Sequence, residues 1–331
     1  MTNLFSELQL RTLNWHHNQS SAPSFSFTLF DRELKVLFII NGKSKRLNAV
    51  QLEIEKTRSN YPDLQIHISV SKRSGDCFRI ANSELNNYEA FIACGGDGTF
   101  NEVLNGLYFS KNPPPKYIGL LPTGSANDFV KSIGRRSVDQ MLQNLKNNHA
   151  KPMDIGLLSR AGRTRVFANA ASNGIGGLVF CKVDTKRGTM PPRLNYTLAI
   201  LWSVLVFKRP KVEITIDGEV REERLTMIVI GKGNYIGFGL GFTPQSKIDN
   251  GKFGLTILRN SSYYQLISKY LKLANNKKID HPWLSYLEAE NIKLTVKEVL
   301  LPIETDGEYY DILEEGDSVN YSIRTGLYQF V

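Results

Sequence analysis

The sequence predicts an α/β domain followed by a mainly antiparallel β domain. The chain has 331 residues, which is more than one hydrophobic core usually holds. Its first half alternates apolar runs and helical patterns in units of roughly 25 to 35 residues, as in a parallel sheet covered by helices. From about residue 155, short strand-like runs are separated by Gly, Asn and Asp. These observations predict a Rossmann-like first half and a β-rich second half.

The first elements are predicted from short apolar patterns. Residues 1–33 show no clear periodicity and are interpreted as an extension. The run KVLFII at 35–40 is continuous, apolar and rich in β-branched residues, which is typical of a buried parallel strand. A helical pattern follows at 49–60, an alternating strand at 64–70, and a strand that ends in glycine at 89–96.

The second half is predicted to be mostly strands, with two helical exceptions. The helices are predicted around residues 194–207 and at 261–276. The most apolar segment, LAILWSVLVF at 198–207, would rise only about 15 Å as a helix, about half of a bilayer core. It is therefore not expected to span a membrane. The predicted strands are VFANAAS, KVEITIDG, RLTMIVIG, FGLTILR, NIKLTV and YSIRT.

Composition and charge limit the function. With 41% hydrophobic and 22% charged residues, the chain has an ordinary globular composition. The net charge of +9 favours anionic partners, such as nucleotide phosphates, nucleic acid or an acidic membrane surface. Solvated surface faces are an equally weighted interpretation of the same charges. The three cysteines and five histidines lack the spacing of a disulfide framework, a thiolate zinc site or a helical metal site.

A glycine-rich loop lies between a strand and a helix in IACGGDGTFNEVLNGL, residues 92–107. Gly95, Gly96 and Gly98 would let the backbone approach phosphate oxygens, and Thr99 could cap the helix or bind phosphate. Asp97 would repel phosphate unless a cation lies between them, which argues for magnesium. A tight turn with an Asx hydrogen bond is the alternative. The apolar positions Phe100, Val103, Leu104 and Leu107 lie on one helix face.

A second junction of the same kind follows in KYIGLLPTGSANDFVKSIG, residues 116–134. Here Thr123, Gly124 and Asn127 supply a hydroxyl, open backbone and an amide, and Asp128 supplies a second carboxylate. Two such loops at neighbouring strand ends could bind one polyphosphate from two sides. Further along the chain, Asp306 and Glu308 flank Gly307 in IETDGEYY, which by itself indicates a hairpin turn.

Five stretches, in this order, resemble the diacylglycerol kinase catalytic-domain family, notably the bacterial soluble lipid kinases. The similarity covers about residues 34–331, and sphingosine kinases and NAD kinases are more distant relatives of the same pattern. The stretches are GGDGTFNEVLNGL, LLPTGSANDFVKSIG, MDIGLL, FTPQSKIDNGKFGLTIL and ETDGEYY.

The resemblance implies a domain organisation with ATP in a cleft. Residues 34–153 together with 311–331 would form the Rossmann-like ATP-binding domain, and residues 154–310 a β-sandwich domain that receives the lipid. Asp306 would act as the general base, with Glu308 beside it. The residues that the resemblance assigns to ATP are Asn41, Ser44, Ser71, Gly95, Gly96, Asp97, Gly98, Thr99, Asn101, Glu102, Thr123, Gly124 and Asn127.

The resemblance also implies Mg²⁺. Asp97, Asp128 and Asp154 would hold it through water, and Asn250, with Asp249 beside it, stands where the family has an acid at a structural magnesium site. The sequence departs from the family at three places: the first loop reads NGKSK where the family reads NPxSG, Ser71 replaces a threonine, and Asn250 replaces the acid. The first two departures lie at positions that the family uses to bind ATP, and the third lies at its structural magnesium site.

The expected function is a magnesium- and ATP-dependent kinase that phosphorylates a lipid hydroxyl, with diacylglycerol as the favoured acceptor and phosphatidic acid as the product. The alternatives are a soluble-substrate kinase of the NAD kinase type and a non-catalytic nucleotide- or lipid-binding protein. We expect a cytoplasmic protein that associates peripherally with an anionic membrane and binds no nucleic acid, and a homodimer is left open. The segment around 194–207, flanked by basic residues, could dock on the membrane or be a core helix.

Overall fold

The computed structural model describes residues 34–110, 117–185, 189–260, 264–265, 272 and 276–331. The extension predicted at residues 1–33 and most of the helix predicted at 261–276 lie outside the described residues.

The first half is a parallel sheet with helices. Its strands are in the order β2, β1, β3, β4, and all three neighbouring pairs are parallel. The strands are β1 (Leu34–Ile40), β2 (Leu64–Val70), β3 (Ala90–Gly95) and β4 (Tyr117–Pro122). The helices are α1 (Leu47–Arg58), α2 (Asp76–Glu84), α3 (Asp97–Tyr108), α4 (Asp128–Ile133) and α5 (Val138–Lys146).

Continuous apolar sequence explains the position of the central strands. Every residue of β3 and β4 is buried, as expected for strands that carry helices on both faces. The helix α3 buries its predicted apolar stripe, including Phe100 and Val103, against this sheet. The helix α5 begins with a capping box, in which Ser137 and Gln140 bind each other's backbone N–H.

The second half consists mainly of antiparallel strands. The strand β9 is long enough to join two sheets: its first part pairs with β8, and its second part pairs with β7 and β12. The elements are β5 (Lys151–Arg160), β6 (Arg163–Phe167), β7 (Ala170–Gly174), α6 (Ile175–Thr185), α7 (Pro192–Val206), β8 (Lys211–Ile216), β9 (Glu219–Gly231), β10 (Tyr235–Ile236), β11 (Leu240–Gly241), β12 (Phe253–Arg259), β13 (Leu284–Ala289), β14 (Ile292–Glu298), β15 (Leu301–Thr305), β16 (Glu308–Leu313) and β17 (Ser318–Phe330).

Alternating side chains from both sheets form the core of this half. Val212 and Ile214 on β8 belong to one buried cluster with Ile228 on β9 and Leu255 on β12. This arrangement is that of a β-sandwich. The predicted fold class, an α/β domain with a β-sandwich domain, is confirmed.

The last strand connects the two halves. The beginning of β17 pairs with β14 in the sandwich, and Gln329 and Phe330 near its end pair in parallel with β4. The strand β5 runs antiparallel to β17 along most of its length. In the described part of the chain, no helix is both long enough and apolar enough to cross a bilayer.

Candidate active site

Four chain segments meet at the carboxyl edge of the parallel sheet, where open α/β sheets bind ligands. The backbone N–H of Asn41, after β1, donates to the carbonyl of Cys94 at 3.0 Å, and that of Ser71, after β2, donates to Ile40 at 2.9 Å. The N–H of Thr123, after β4, donates to Gly95 at 2.8 Å. These bonds hold the four segments side by side.

Two glycines make the closest contact between the loops. A Cβ atom on Gly124 would overlap the Cα of Gly96, so the second loop can lie against the first only without a side chain there. Asn127 closes the second loop, since its side chain accepts from the N–H of Gly124 at 3.1 Å and donates to its carbonyl at 2.8 Å.

Asp97 positions the second loop through its carboxylate. It accepts hydrogen bonds from the backbone N–H groups of Asp128 and Phe129, both at 3.0 Å, at the beginning of α4. Burial raises the pKa of Asp97 to about 6, although the two N–H donors oppose this, and the charges of Asp128 and Asp306 raise it further. Negative charge is therefore concentrated at this place.

Asp128 links the two halves of the protein. Its carboxylate pairs with Lys131 at 2.7 Å and accepts from the backbone N–H of Phe238, between β10 and β11, at 2.9 Å. A second link lies one turn along α4, where the Ser132 hydroxyl accepts from the N–H of Asn234 at 2.8 Å.

Asp306 occupies a hairpin turn, as its Asp-Gly sequence indicates, and also reaches into the site. Asp306 and Gly307 both have positive φ values, 49° and 79°, and connect β15 to β16. The Asp306 carboxylate accepts four hydrogen bonds: from the side chain of Asn101 at 2.8 Å, and from the N–H groups of Ala168 at 2.9 Å, Asn169 at 2.9 Å and Ala170 at 3.1 Å. Burial raises its pKa despite these donors.

Glu308 lies on the other side of the turn, next to the glycine-rich loop. Its Oε2 atom accepts from Arg165 at 2.9 Å, and the same guanidinium donates to Asn101 Oδ1 at 3.1 Å. Its Oε1 atom would lie 2.9 Å from a Cβ atom added to Gly98. Asn101 thus connects Asp306 with the Arg165–Glu308 ion pair.

Asp154 belongs to a separate group of residues. Its carboxylate accepts from the Lys232 ammonium at 2.9 Å and from the N–H groups of Gly251 at 2.8 Å and Gly326 at 3.2 Å. Lys232 also donates to Asn250 Oδ1 at 3.1 Å. Its side chain is 0% exposed, and burial lowers its pKa.

The predicted acidic network is therefore divided. Asp97 and Asp128 adjoin each other, whereas Asp154 is held by a lysine. A buried ammonium beside Asn250 opposes a second cation there, because like charges repel in a low dielectric, and Asp249 is exposed. Across the residues with described positions, no group of three or more His, Cys, Asp or Glu side chains is arranged to hold a metal ion.

The remaining predicted residues form the edges of the loops. The Asn41 side chain donates to Thr99 at 3.1 Å, and the Ser71 hydroxyl accepts from the N–H of Gly42 at 3.1 Å. Ser44 accepts from the N–H of Arg46 at 3.2 Å. Glu102 accepts from the N–H of Gly75 at 3.2 Å, at the beginning of α2.

One atom in the loops is left without a partner. The Thr123 hydroxyl is buried and has no hydrogen-bond partner, a costly condition that a phosphate oxygen would relieve. The backbone of Gly96 and Gly98 lies at the beginning of α3, where N–H groups favour an anion. The residues present therefore fit a nucleotide phosphate.

A cavity of about 280 Å³ opens beside these loops. One wall is polar and contains Asp97, Asp128, Asp306 and Glu308. The other wall is largely apolar and aromatic, and its members were not predicted as site residues because they come from three separate segments. They are Phe180, Val183, Met190, Pro192, Tyr196, Ile236 and Phe238.

Three aromatic rings support the apolar wall. The ring of Tyr196 on α7 lies 5.7 Å from Phe180 on α6 and 5.4 Å from Phe238. The sequence signal for this wall was weak, since Tyr196 is only one aromatic residue in an apolar segment. Arg165 was also missed as a site residue, although it stands in a short basic group, because only the fold brings it to Glu308.

Comparison with known proteins agrees with this geometry. Residues 35–158 match the family model of the diacylglycerol kinase catalytic domain, and residues 169–316 match that of the YegS C-terminal NAD kinase beta sandwich-like domain. The diacylglycerol kinase of Bacillus subtilis (strain 168) is 29% identical over 250 residues, covering 75% of this chain and 80% of the relative. The diacylglycerol kinase of Staphylococcus carnosus (strain TM300) is 27% identical over 227 residues, covering 67% and 71%.

A solved structure shows the same fold. A diacylglycerol kinase from Bacillus anthracis (strain Sterne) superposes with a TM-score of 0.66 at 20% identity, covering 92% of this chain and 98% of the solved one.

Proposed function

We propose that the chain is an ATP- and Mg²⁺-dependent lipid kinase that transfers the γ-phosphate to a lipid hydroxyl, with diacylglycerol as the acceptor and phosphatidic acid as the product, because residues 35–158 match the family model of the diacylglycerol kinase catalytic domain. The observation that carries the proposal is the cavity with two unlike walls. Carboxylates and a phosphate-binding loop form one wall, and aromatic and aliphatic side chains form the other. A lipid alcohol has the same two parts, a reactive hydroxyl and an apolar body.

The loops would hold the nucleotide through their backbone. Gly96 and Gly98 allow phosphate oxygens to approach the N–H groups at the beginning of α3, and the unpartnered Thr123 hydroxyl adds a donor. Asp97 and Asp128 are the residues that would hold Mg²⁺ through water, because their carboxylates lie where negative charge is already concentrated. When bound, Mg²⁺ supplies charge neutralisation for the transferred phosphoryl group.

Two carboxylates compete for the role of proton acceptor. The family resemblance assigns it to Asp306, but four donors already bind that carboxylate, so it can accept a proton only if one donor is released. Glu308 keeps Oε1 directed at the glycine-rich loop while Oε2 pairs with Arg165. The variants Asp306→Asn and Glu308→Gln therefore distinguish the carboxylate that accepts the proton from the one that only holds its neighbours in place.

The proposal is tested by transfer of labelled phosphate from ATP to lipid. Purified protein is incubated with Mg²⁺ and vesicles that contain diacylglycerol, with NAD as a parallel acceptor, and the products are identified by mass spectrometry. We expect phosphatidic acid as the main product. Labelled NADP would support the soluble-substrate alternative, and ATP binding without transfer to any acceptor would support a non-catalytic protein.

The variant Asp306→Asn should reduce transfer by about 10²–10⁴-fold if Asp306 accepts the proton. Asp217→Asn is the matched control, because Asp217 and Gly218 form the same kind of turn with positive φ values of 46° and 94°. Asp217 lies in the hairpin between β8 and β9 and does not line the cavity. Near-normal turnover of a folded Asp306→Asn protein, with loss of turnover in Glu308→Gln, would assign the role to Glu308.

We further propose that the protein works at the cytoplasmic side of a membrane and associates with it peripherally. ATP is its phosphate donor, and a diacylglycerol molecule remains in the bilayer, so the enzyme has to reach it there.

A further inference from the structure

The helix α7, Pro192–Val206, exposes its apolar side chains and buries small and polar ones. Leu205 is 84% exposed, Leu201 is 55% exposed and Leu194 is 50% exposed. The buried positions of the same helix are Asn195, Ala199 and Ser203. A surface helix in water shows the opposite distribution.

The exposed side chains form one patch. Leu194, Leu198, Leu201 and Leu205 follow one another at intervals of three or four residues, and so they lie on one side of the helix. Trp202 and Val206, 38% and 46% exposed, extend the patch on one flank. We call these six residues the α7 patch. Contiguous exposed patches of this kind mark protein or membrane contacts.

The sequence on both sides of α7 carries only positive charge. From residue 185 to residue 212 the sequence contains no Asp or Glu and has six basic residues, which are Lys186, Arg187, Arg193, Lys208, Arg209 and Lys211. Arg193 and Lys208 are exposed near the two ends of α7. The ammonium of Lys182 lies 4.5 Å from the ring centre of Trp202. An apolar strip with exposed cations near its two ends is complementary to an anionic bilayer, which has acyl chains below acidic headgroups.

The same helix forms part of the cavity. Pro192, Asn195 and Tyr196 line it, and the Asn195 side chain fixes α7 to α6 by donating to the carbonyl of Val183 at 2.9 Å. Tyr196 is two residues from both Leu194 and Leu198, so the apolar wall of the site and the α7 patch lie on different faces of one helix.

We propose that α7 docks into the boundary between headgroups and acyl chains of an anionic bilayer, inserting its leucines, and that this brings diacylglycerol to the cavity between α7 and the glycine-rich loop. This inference rests on the proposed function for the identity of the lipid. Docking itself requires neither ATP nor catalysis, so it can be measured separately.

The first experiment is sedimentation of the full-length protein with phosphatidylcholine vesicles that contain increasing fractions of phosphatidylglycerol, without ATP or diacylglycerol. We expect binding that rises with the anionic fraction and weakens with salt. The double variant Leu201→Gln, Leu205→Gln should bind at least about tenfold more weakly, because each leucine loses the free energy of apolar burial. Leu52→Gln is the matched control: Leu52 is 56% exposed on α1, in the other half of the protein, and its replacement should leave binding unchanged.

The second experiment follows Trp202. The emission of Trp202 is obtained by subtracting the spectrum of the Trp202→Phe variant from that of the wild type. This emission should shift to shorter wavelength when anionic vesicles are added. Activity on diacylglycerol in vesicles should fall in the double leucine variant, while activity on a short-chain, water-dispersed diacylglycerol should not change.

Defined results overturn the proposal. Equal vesicle binding by the double variant and wild type would refute docking by α7, as would binding that is independent of anionic lipid. A wild-type dimer in sedimentation velocity that becomes a monomer in the double variant would show that a second copy covers the patch. Vesicle binding without any lipid phosphorylation would leave docking intact and refute the proposed function.

Discussion

Replacing Lys232 by Met should strongly destabilise the protein. The Lys232 side chain is 0% exposed, and its ammonium donates to Asp154 at 2.9 Å, to Asn250 at 3.1 Å and to the carbonyl of Lys252 at 2.9 Å. Methionine has a similar length and no charge. The substitution therefore leaves Asp154, whose side chain is 3% exposed, as a buried carboxylate without its cation.

The expected loss of stability follows from that uncompensated charge. Removing one partner of a buried ion pair costs about 3–5 kcal/mol, a large part of the roughly 5–15 kcal/mol by which proteins are stable. At about 2 °C per kcal/mol, the value for larger domains, the midpoint of thermal unfolding should fall by about 6–10 °C. The two N–H donors that remain, from Gly251 and Gly326, hold Asp154 in place but do not neutralise it.

Urea and thermal unfolding of the single and double variants measure the effect. Lys232→Met combined with Asp154→Leu should recover much of the lost stability, because replacing a whole buried pair by apolar groups is often neutral. The matched control is Lys211→Met. Lys211 forms a surface ion pair with Glu222 at 2.8 Å, which should contribute at most about 1 kcal/mol. A loss below about 1 kcal/mol in Lys232→Met, or an additive double variant, would refute the reasoning.

Two further predictions concern a buried carboxyl group and a loop contact. Burial raises the pKa of Glu304 from 4.5 to about 8, so the folded state keeps a proton that the unfolded state releases. Relative to Glu304→Gln, the free energy of unfolding of the wild type should therefore fall between about pH 4.5 and about pH 8, and parallel pH profiles in urea would contradict this. In Gly124→Ala the new Cβ would overlap Gly96, and we expect the KM for ATP to rise about tenfold or more because the two loops separate. Gly316→Ala is the control, since Gly316 has positive φ but a Cβ atom added to it would meet no atom within 4 Å; it should lower stability without changing that KM.

Local patterns in the sequence were sufficient to predict the loops, but not to predict which side chains contact the acidic residues. The strand, glycine and helix pattern around Gly95 and Thr99 depends on neighbouring residues only, and so the parallel sheet edge could be predicted. Asp154 was placed with Asp97 because both are acids in family motifs. Its partner, Lys232, is 78 residues away in the sequence, and no short pattern marks such a contact.

The helix α7 shows the same limit. An apolar segment predicts a helix near 194–207, and the structure has one at Pro192–Val206. The pattern could not decide between a core helix and a surface helix, because that depends on which neighbours the rest of the chain supplies. The Asp306-Gly307 pair was ambiguous for a similar reason, because the same two residues can form a hairpin turn or belong to a site. In the structure Asp306 does both: it lies in the turn between β15 and β16, and its carboxylate contacts Asn101.

The carboxylates of the site also determine how the two halves fit together. Asp128 on α4 accepts from the N–H of Phe238 in the sandwich half, and Asp306 in the sandwich half accepts from Asn101 on α3. Hydrogen bonds to charged groups contribute about 1.5–3 kcal/mol each, so these contacts resist separation of the halves. Since the same acids line the cavity, any opening of the cleft would break the bonds that orient them. The geometry needed for phosphoryl transfer and the closed arrangement of the two halves therefore depend on the same few hydrogen bonds, and catalysis should be most sensitive to substitutions that loosen them.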